Sequence, residues 1–167
     1  TAFQLIAVIF QLQSLQQFGG DAATHLDWTM VPYVRKSFFK HYKDGLKYVE
    51  GYAEEDLIRE MTLETGITAE DISIVDDYAY SHSGAYQYAL EMTQRELDQA
   101  VEGMYHNLNT LQSRSGNQLP FTSINYGTCT LTEGRMVTKS LLMGSINGVG
   151  KLHKTPIFPC GIFKLKK

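Results

Sequence analysis

The stretch from Ser113 to Thr128 reads S-R-S-G-N-Q-L-P-F-T-S-I-N-Y-G-T. Leu119, Phe121, Ile124 and Tyr126 mark its second half, Leu119 to Tyr126, as a strand. The same stretch carries Ser113, Arg114, Ser115, Asn117, Gln118, Ser123 and Asn125. Plain core does not favour so many hydrogen-bonding groups, because each must find a partner once it leaves water. Such a strand is where polar contacts to a small ligand are expected. Side chains alternate across a strand, so Ser123 and Asn125 share a face with Phe121 below them. Those two are the leading ligand contacts, Ser115 and Gln118 are further ones, and Arg114 is the electrostatic partner for an anion.

Charge distribution agrees with that choice. Up to Asp98 the chain has 16 acidic and 7 basic residues, and from Gln99 on it has 2 acidic and 8 basic. The polar strand thus lies in the basic half, which suits an anionic ligand or an acidic face packed against it. The overall net charge of −3 argues against general attraction to nucleic acid or membrane. Cys129 and Cys160 form neither a metal-ligand spacing nor a disulfide framework, which fits a reduced, cytoplasmic setting. No apolar run approaches the roughly 20 residues of a membrane span. The chain starts inside an apolar helical pattern and stops in F-K-L-K-K, so it reads as a piece of a larger protein.

Several elements must position the strand. Ala2 to Phe18 has helical periodicity in Leu5, Val8, Ile9, Leu12 and Leu15, widened by Phe3, Ile6 and Phe10, so much of it should be buried. Gln11, Gln13, Gln16 and Gln17 supply amides to its last turns, and Gly19-Gly20 ends it. Asp21 is placed to cap a short helix to Met30, and Pro32 suits the first turn of another from Val31 to about Lys47. That second helix carries Arg35, Lys36, Lys40, Lys43 and Lys47, either a solvated side or a phosphate-binding one. An acidic helix from Glu50 to Thr65 and a short one from Thr68 follow. Ser83 to about Gln112 is the longest element, with Leu90, Leu97, Val101, Met104, Leu108 and Leu111 along one side. His106 near its end reads as a structural residue. Thr130 and Glu133 form a T-x-x-E capping box for a helix to about Asn147, with Met136, Val137, Leu141, Leu142 and Ile146 inward. Thr155 to Lys164 is a second strand. Two strands joined by one helix should be parallel, with both faces covered. Ligands in such units bind beyond the strands' carboxyl ends, here Gly127 to Thr132, where a helix start offers free N–H groups to an anion. A Walker phosphate loop, a dinucleotide fingerprint, a zincin motif and a serine elbow are all absent from the string.

The string from Met92 to Lys164 resembles the catalytic subunit of anaerobic, class III ribonucleotide reductases. The resemblance is carried by M-T-Q-R-E-L-D-Q-A-V-E-G-M-Y-H-N-L-N-T-L-Q-S-R-S-G-N-Q-L-P-F-T-S-I-N-Y-G-T, by E-G-R-M-V-T-K-S-L-L and by K-T-P-I-F-P-C-G-I-F-K. Q-Q-F-G-G and V-P-Y-V-R-K-S-F-F-K-H extend it toward the start, and it is weakest between Tyr48 and Ala79. It implies an α/β chain that is a helix-rich fragment of a ten-stranded glycyl-radical enzyme barrel, with a parallel β-α-β unit at its C-terminal end. Residues 1–167 would be one fragment of the catalytic domain. Within it, 1–82 is a helical part suited to an effector or dimer region, and 83–167 is the long helix and barrel segment.

The same resemblance implies reduction of ribonucleoside triphosphates to deoxyribonucleotides by a cytoplasmic homodimer. A radical S-adenosylmethionine activase would install the glycyl radical, which generates a thiyl radical on a loop cysteine; formate would be the reductant. ATP and deoxynucleotides would act as effectors, and zinc would bind in a C-terminal part. Neither Cys129 nor Cys160 matches the family's catalytic cysteines. Cys160 reads as a buried structural thiol, and Cys129, before a helix start, as one whose pKa could be lowered. The radical glycine, both catalytic cysteines and the zinc ligands are expected outside these residues, so the fragment alone would be inactive. Substrate contacts are expected from Arg114, Ser115, Gln118, Ser123 and Asn125, and effector contacts from Gln17, Arg35, Lys36, Lys40 and Lys47. The alternatives are a nucleotide-binding or helical interaction module without chemistry, or another glycyl-radical enzyme; the R-S-G-N-Q-L-P-F-T-S-I-N string disfavours the last.

Overall fold

A computed structural model describes residues 2–17, 19–53, 72–74, 82–110 and 119–165. Four helices and three strands lie among them: α1 (Ala2–Gln16), β1 (Asp21–Ala23), α2 (Leu26–Tyr48), α3 (Ser83–Thr110), β2 (Thr122–Tyr126), α4 (Thr132–Asn147) and β3 (Cys160–Phe163). The helices expected from Glu50 to Thr65 and from Thr68 fall almost wholly outside the described residues.

The sheet is parallel throughout, in the order β1-β2-β3. Asp21 to Ala23 align with Thr122 to Ile124, and Ser123 to Tyr126 align with Cys160 to Phe163. The expected parallel β-α-β unit is therefore present, with α4 as its crossover. β1 was not anticipated. Asp21 does not cap a helix; its backbone joins the sheet, and its N–H also reaches the Phe121 carbonyl at 2.9 Å. Strand pairing there satisfies backbone groups that a helix start would leave open. Both longer strands are shorter than the apolar pattern suggests, because residues 119–121 and 155–159 pair with no strand.

Helix α2 replaces two expected helices and runs straight through Pro32. An interior proline costs about 3 kcal/mol. Leu26, Met30, Val34 and Phe38 form one fully buried stripe on both sides of it. Each such side chain contributes roughly 1.5–3 kcal/mol, so the stripe outweighs the proline. Further along, Gly45 lets α2 approach α3: a Cβ there would sit 2.9 Å from Ala85 Cα. The rings of Phe38, Phe39, Tyr42 and Tyr86 fill the same seam, with Phe38 and Tyr86 edge to face at 5.5 Å.

Two helices bury a different side from the one their leucines suggest. In α1 the inward residues are Phe3, Ala7, Phe10 and Ser14, while Leu5, Ile9, Leu12 and Leu15 are each more than half exposed. The aromatic pair fills the larger space, and the aliphatic stripe is left outside. In α4, Met136, Val137 and Leu141 are buried as expected, but Leu142 is exposed and Ile146 is 75% exposed. Strand β3 is exposed along its whole length, so the expectation of a sheet covered on both faces fails for this strand among the described residues.

Helix α3 is the spine. Its Asn109 carboxamide oxygen accepts the Ile157 N–H (2.8 Å) and the Phe158 N–H (3.0 Å), and its NH2 group donates to the Phe158 carbonyl. That clamp aims the chain into β3. Tyr105 donates its hydroxyl to the Leu141 carbonyl at 2.9 Å, and burial pushes its pKa up to about 12. A phenol that titrates near 10 when unfolded and near 12 when folded contributes stability below pH 10, and this is lost as pH rises toward 12. Tyr105→Phe should cost about 1 kcal/mol at neutral pH, since the Leu141 carbonyl keeps Ser145 Oγ at 3.1 Å. Thermal melts from pH 8 to 12 should show the wild-type excess over Tyr105→Phe shrinking above pH 10; a constant gap would refute the buried neutral phenol.

Candidate functional site

Strand β2 alternates as a half-covered strand should. Thr122, Ile124 and Tyr126 are buried, and Ser123 and Asn125 are half-buried on the opposite face. Asn125 Oδ1 is shut off from solvent yet has no hydrogen-bond partner in the protein. A buried acceptor left open costs about 1–3 kcal/mol, which makes it the strand's one polar group still waiting for a donor. Phe121 is outside the strand and largely exposed, with its ring edge-on to Phe158 at 5.1 Å. Arg114, Ser115 and Gln118, with Ser113 and Asn117, lie outside the described residues.

The turn after β2 is indeed an anion site, but the anion is the protein's own. Asp27, fully buried in the first turn of α2, accepts the N–H groups of Gly127 (3.0 Å) and Cys129 (2.8 Å) on Oδ2. Its Oδ1 accepts the N–H of Trp28 at 3.0 Å. Trp28 Nε1 donates to Thr128 Oγ1 at 3.2 Å and closes the same contact from outside. The expected binding place from Gly127 to Thr132 is therefore filled. Gly127 is needed there twice over: its φ is +105°, and a Cβ would meet the Lys164 carbonyl at 2.7 Å.

Glu133 is not part of a capping box. Leu131 is the N-cap of α4 and makes no side-chain cap bond, while Thr130 is exposed. The Glu133 carboxylate is fully buried and pairs with Arg35 Nε at 2.8 Å. It also accepts the Ile74 N–H at 3.2 Å. A guanidinium across the core offers a stronger partner than a helix's own first amide. Arg35 therefore faces inward, away from the lysines it was grouped with.

The cysteines also depart from expectation. Cys129 is buried, and burial pushes its thiol pKa up, reinforced by the nearby Asp27 and Glu133 charges. It is the opposite of an activated thiol. Cys160 is exposed on β3, not buried.

Among the proposed cationic contacts, Lys36 and Lys40 do come together. They border a groove of about 480 Å³ between α1, α2 and α3, with Tyr33, Ser37, Thr93 and Glu96 among its other walls. Thr93 is fully buried and its Oγ1 has no partner. In a helix a threonine hydroxyl usually bonds the carbonyl one turn back, so an open one on a groove wall marks a place for a ligand donor or acceptor. Glu96 lies 3.7 Å from Lys40 Nζ and 3.2 Å from His41 Nε2, the latter too close to ignore but without hydrogen-bond geometry. Burial alone would raise the Glu96 pKa; His41 and Lys40 outweigh it and hold the carboxyl below its ordinary range. Lys47 instead lies over the Tyr48 ring at 5.6 Å, and Gln17 is exposed beyond the end of α1; neither borders the groove. Thr93 and Glu96 were missed by sequence reasoning. One signal existed: Thr93 sits between Ala89 and Leu97 at the four-residue spacing of the buried stripe, where a hydroxyl is out of place.

Among the described residues no cluster of three or more His, Cys, Asp or Glu side chains could hold a metal ion, so these residues do not fit a zinc site. No described helix is long and apolar enough to cross a membrane.

A family model described as anaerobic ribonucleoside-triphosphate reductase matches residues 1–167. Proteins of that name are similar over nearly the whole chain. The one from Haemophilus influenzae is 26% identical over 171 residues, covering 100% of this chain and 19% of that protein. The one from Enterobacteria phage T4 is 29% identical over 158 residues, covering 95% of this chain and 21% of its own length. The Escherichia coli protein is 27% identical over 166 residues, with 99% and 19% covered. The chain thus spans about a fifth of the length of these relatives.

The Arg35–Glu133 pair makes an asymmetric prediction. Removing Arg35 strands a carboxylate with no water access, whereas removing Glu133 leaves a guanidinium that is 22% exposed. Arg35→Met should therefore destabilise by about 3–5 kcal/mol, and Glu133→Gln by less. Urea melts that rank the two the other way would show that the pair is not buried as described.

Proposed function

The chain belongs to the anaerobic ribonucleoside-triphosphate reductase family, and we propose that it is a non-catalytic segment of an enzyme converting ribonucleoside triphosphates to deoxyribonucleotides. The observation that carries this reading is the family match along all of residues 1–167. In this reading the radical glycine, its S-adenosylmethionine-dependent activase, the catalytic cysteines, formate and zinc all act outside these residues. The buried, raised-pKa Cys129 and the exposed Cys160 are consistent with thiols that take no part in the radical step. The setting is cytoplasmic, and the parent works as a homodimer. The exposed aliphatic stripe of α1 supports a protein–protein contact on that face.

Two sites follow. Ser123 and Asn125 line the substrate side of β2, where the open Asn125 oxygen would accept a hydroxyl or amine proton of the ribonucleotide. Arg114, Ser115 and Gln118, on the approach to that strand, extend the same contact. The groove between α1, α2 and α3 holds the deoxynucleotide or ATP effector. Lys36 and Lys40 meet its phosphates, and the Thr93 hydroxyl and Tyr33 ring are the polar and stacking contacts nearby. Arg35 acts as a structural partner of Glu133, not as a direct phosphate ligand.

Tests follow in the full-length reductase. Asn125→Ala should lower kcat/KM for ribonucleotides about tenfold, the worth of one buried hydrogen bond, without a change in melting temperature. Wild-type turnover in Asn125→Ala and Arg114→Ala would remove the substrate assignment. Lys36→Ala and Lys40→Ala should each weaken deoxynucleotide binding by about tenfold or more, measured by calorimetric titration at low and moderate salt. Unchanged affinity in both would remove the groove from the effector site.

A further inference from the structure

One face of α2 borders the groove and another holds the end of β2. Lys36 and Lys40 project toward the groove, beside the open hydroxyl of Thr93 on α3. Two to three turns earlier on the same helix, Asp27 holds the Gly127 and Cys129 amides directly after the strand that carries Ser123 and Asn125. Asp27 and Lys36 are about 14 Å apart along the axis at 1.5 Å per residue. Arg35 fixes the middle of this span to α4 through Glu133. The segment from Asp27 to Lys40 is thus tied at its start, gripped halfway and open to ligand at its far end.

From this geometry we infer that Asp27 is a positioning residue that couples occupancy of the groove to the placement of Asn125, with α2 as the moving part. The inference rests on the reading of the groove as the effector site. A ligand drawing Lys36 and Lys40 together shifts or rotates α2 as a unit, because its interior hydrogen bonds and its buried stripe resist bending. The shift is delivered to β2 through two N–H···O bonds to one carboxylate oxygen, with no slack side chain between. Trp28 and Thr128 make a second, outer link in parallel. A closer look at Asp27 supports a coupling role over mere burial. Both oxygens are used, one for its own helix and one for the turn, so its carboxylate is the joint between them. An Asn at this position has one acceptor oxygen and would turn an NH2 group toward one of those two sets of donors.

The test is an equilibrium measurement on the full-length reductase: the Kd of dATP, dGTP and dTTP with and without a saturating ribonucleoside triphosphate. Coupling in binding is reciprocal, so the ratio of the two Kd values reads it from either side. For at least one deoxynucleotide the wild-type ratio should differ from 1 by fivefold or more. In Asp27→Asn it should fall to within twofold of 1, while the Kd without ribonucleotide changes less than twofold. Trp28→Phe removes only the outer bond, at a half-exposed site that folding does not depend on, and should lower the ratio by about twofold. A wild-type ratio of 1 overturns the inference. So does a ratio in Asp27→Asn, or in Trp28→Phe where Asp27→Asn does not fold, that equals the wild-type value. If Lys36→Ala and Lys40→Ala weaken deoxynucleotide binding in the same assay but Asp27→Asn leaves the ratio alone, the groove reading stands and only the coupling fails. If those lysine variants leave binding unchanged, both fall.

Discussion

A carboxylate with no access to water must be fully satisfied by donors, and Asp27 is satisfied by three backbone amides from two elements. That requirement sets the relation of α2 to the sheet. It fixes the start of α2, the path of the chain leaving β2 and, through Gly127, the close approach of the β3 end at Lys164. Leaving either oxygen without donors would cost several kcal/mol. The geometry around the turn is therefore much more constrained than an exposed loop would be.

Glu133 and Arg35 impose the same kind of constraint further along. Their pair joins the two helices that flank the strand and extends to the segment at Ile74. Apolar packing would hold α2 against α3 without it, since Phe38, Tyr42 and Leu46 are all buried there. What the pair adds is register: a charge in the core tolerates one alignment of the helices, whereas a leucine tolerates several. Helix α2 thus carries the molecule's buried charge on one side and its groove cations on another.

The shared ancestry with much longer reductases gives the exposed surfaces a physical reading. Aliphatic side chains stand in the open on α1 and α4, and β3 is uncovered along its length. Isolated exposed leucines need no explanation, but a stripe of four along one helix does. The described residues bury their own core around α2 and α3 and present apolar stripes outward at both ends of the fold.

Periodicity and motif content alone located α1, α3, α4 and the parallel strand–helix–strand unit, because these depend on local spacing of apolar residues and on glycine stops. The long ordered strings around the polar strand were enough to indicate the family. Sequence could not say which side of α1 is buried, since Phe3 and Phe10 and the leucines all qualify and only the shape of the neighbouring groove chooses between them. Nor could it say that Asp21 lies in a strand, that Pro32 is carried inside a helix, or that Glu133 answers to Arg35, 98 residues away, and not to its own helix start. Each of those outcomes turns on a partner distant in the chain. Local propensity is worth tenths to a few kcal/mol, and a buried charge pair, a sheet ladder or a four-residue apolar stripe outweighs it. The anion-binding character of the turn after β2 was legible from its helix-start position; that Asp27 already fills it was decided by the tertiary structure alone.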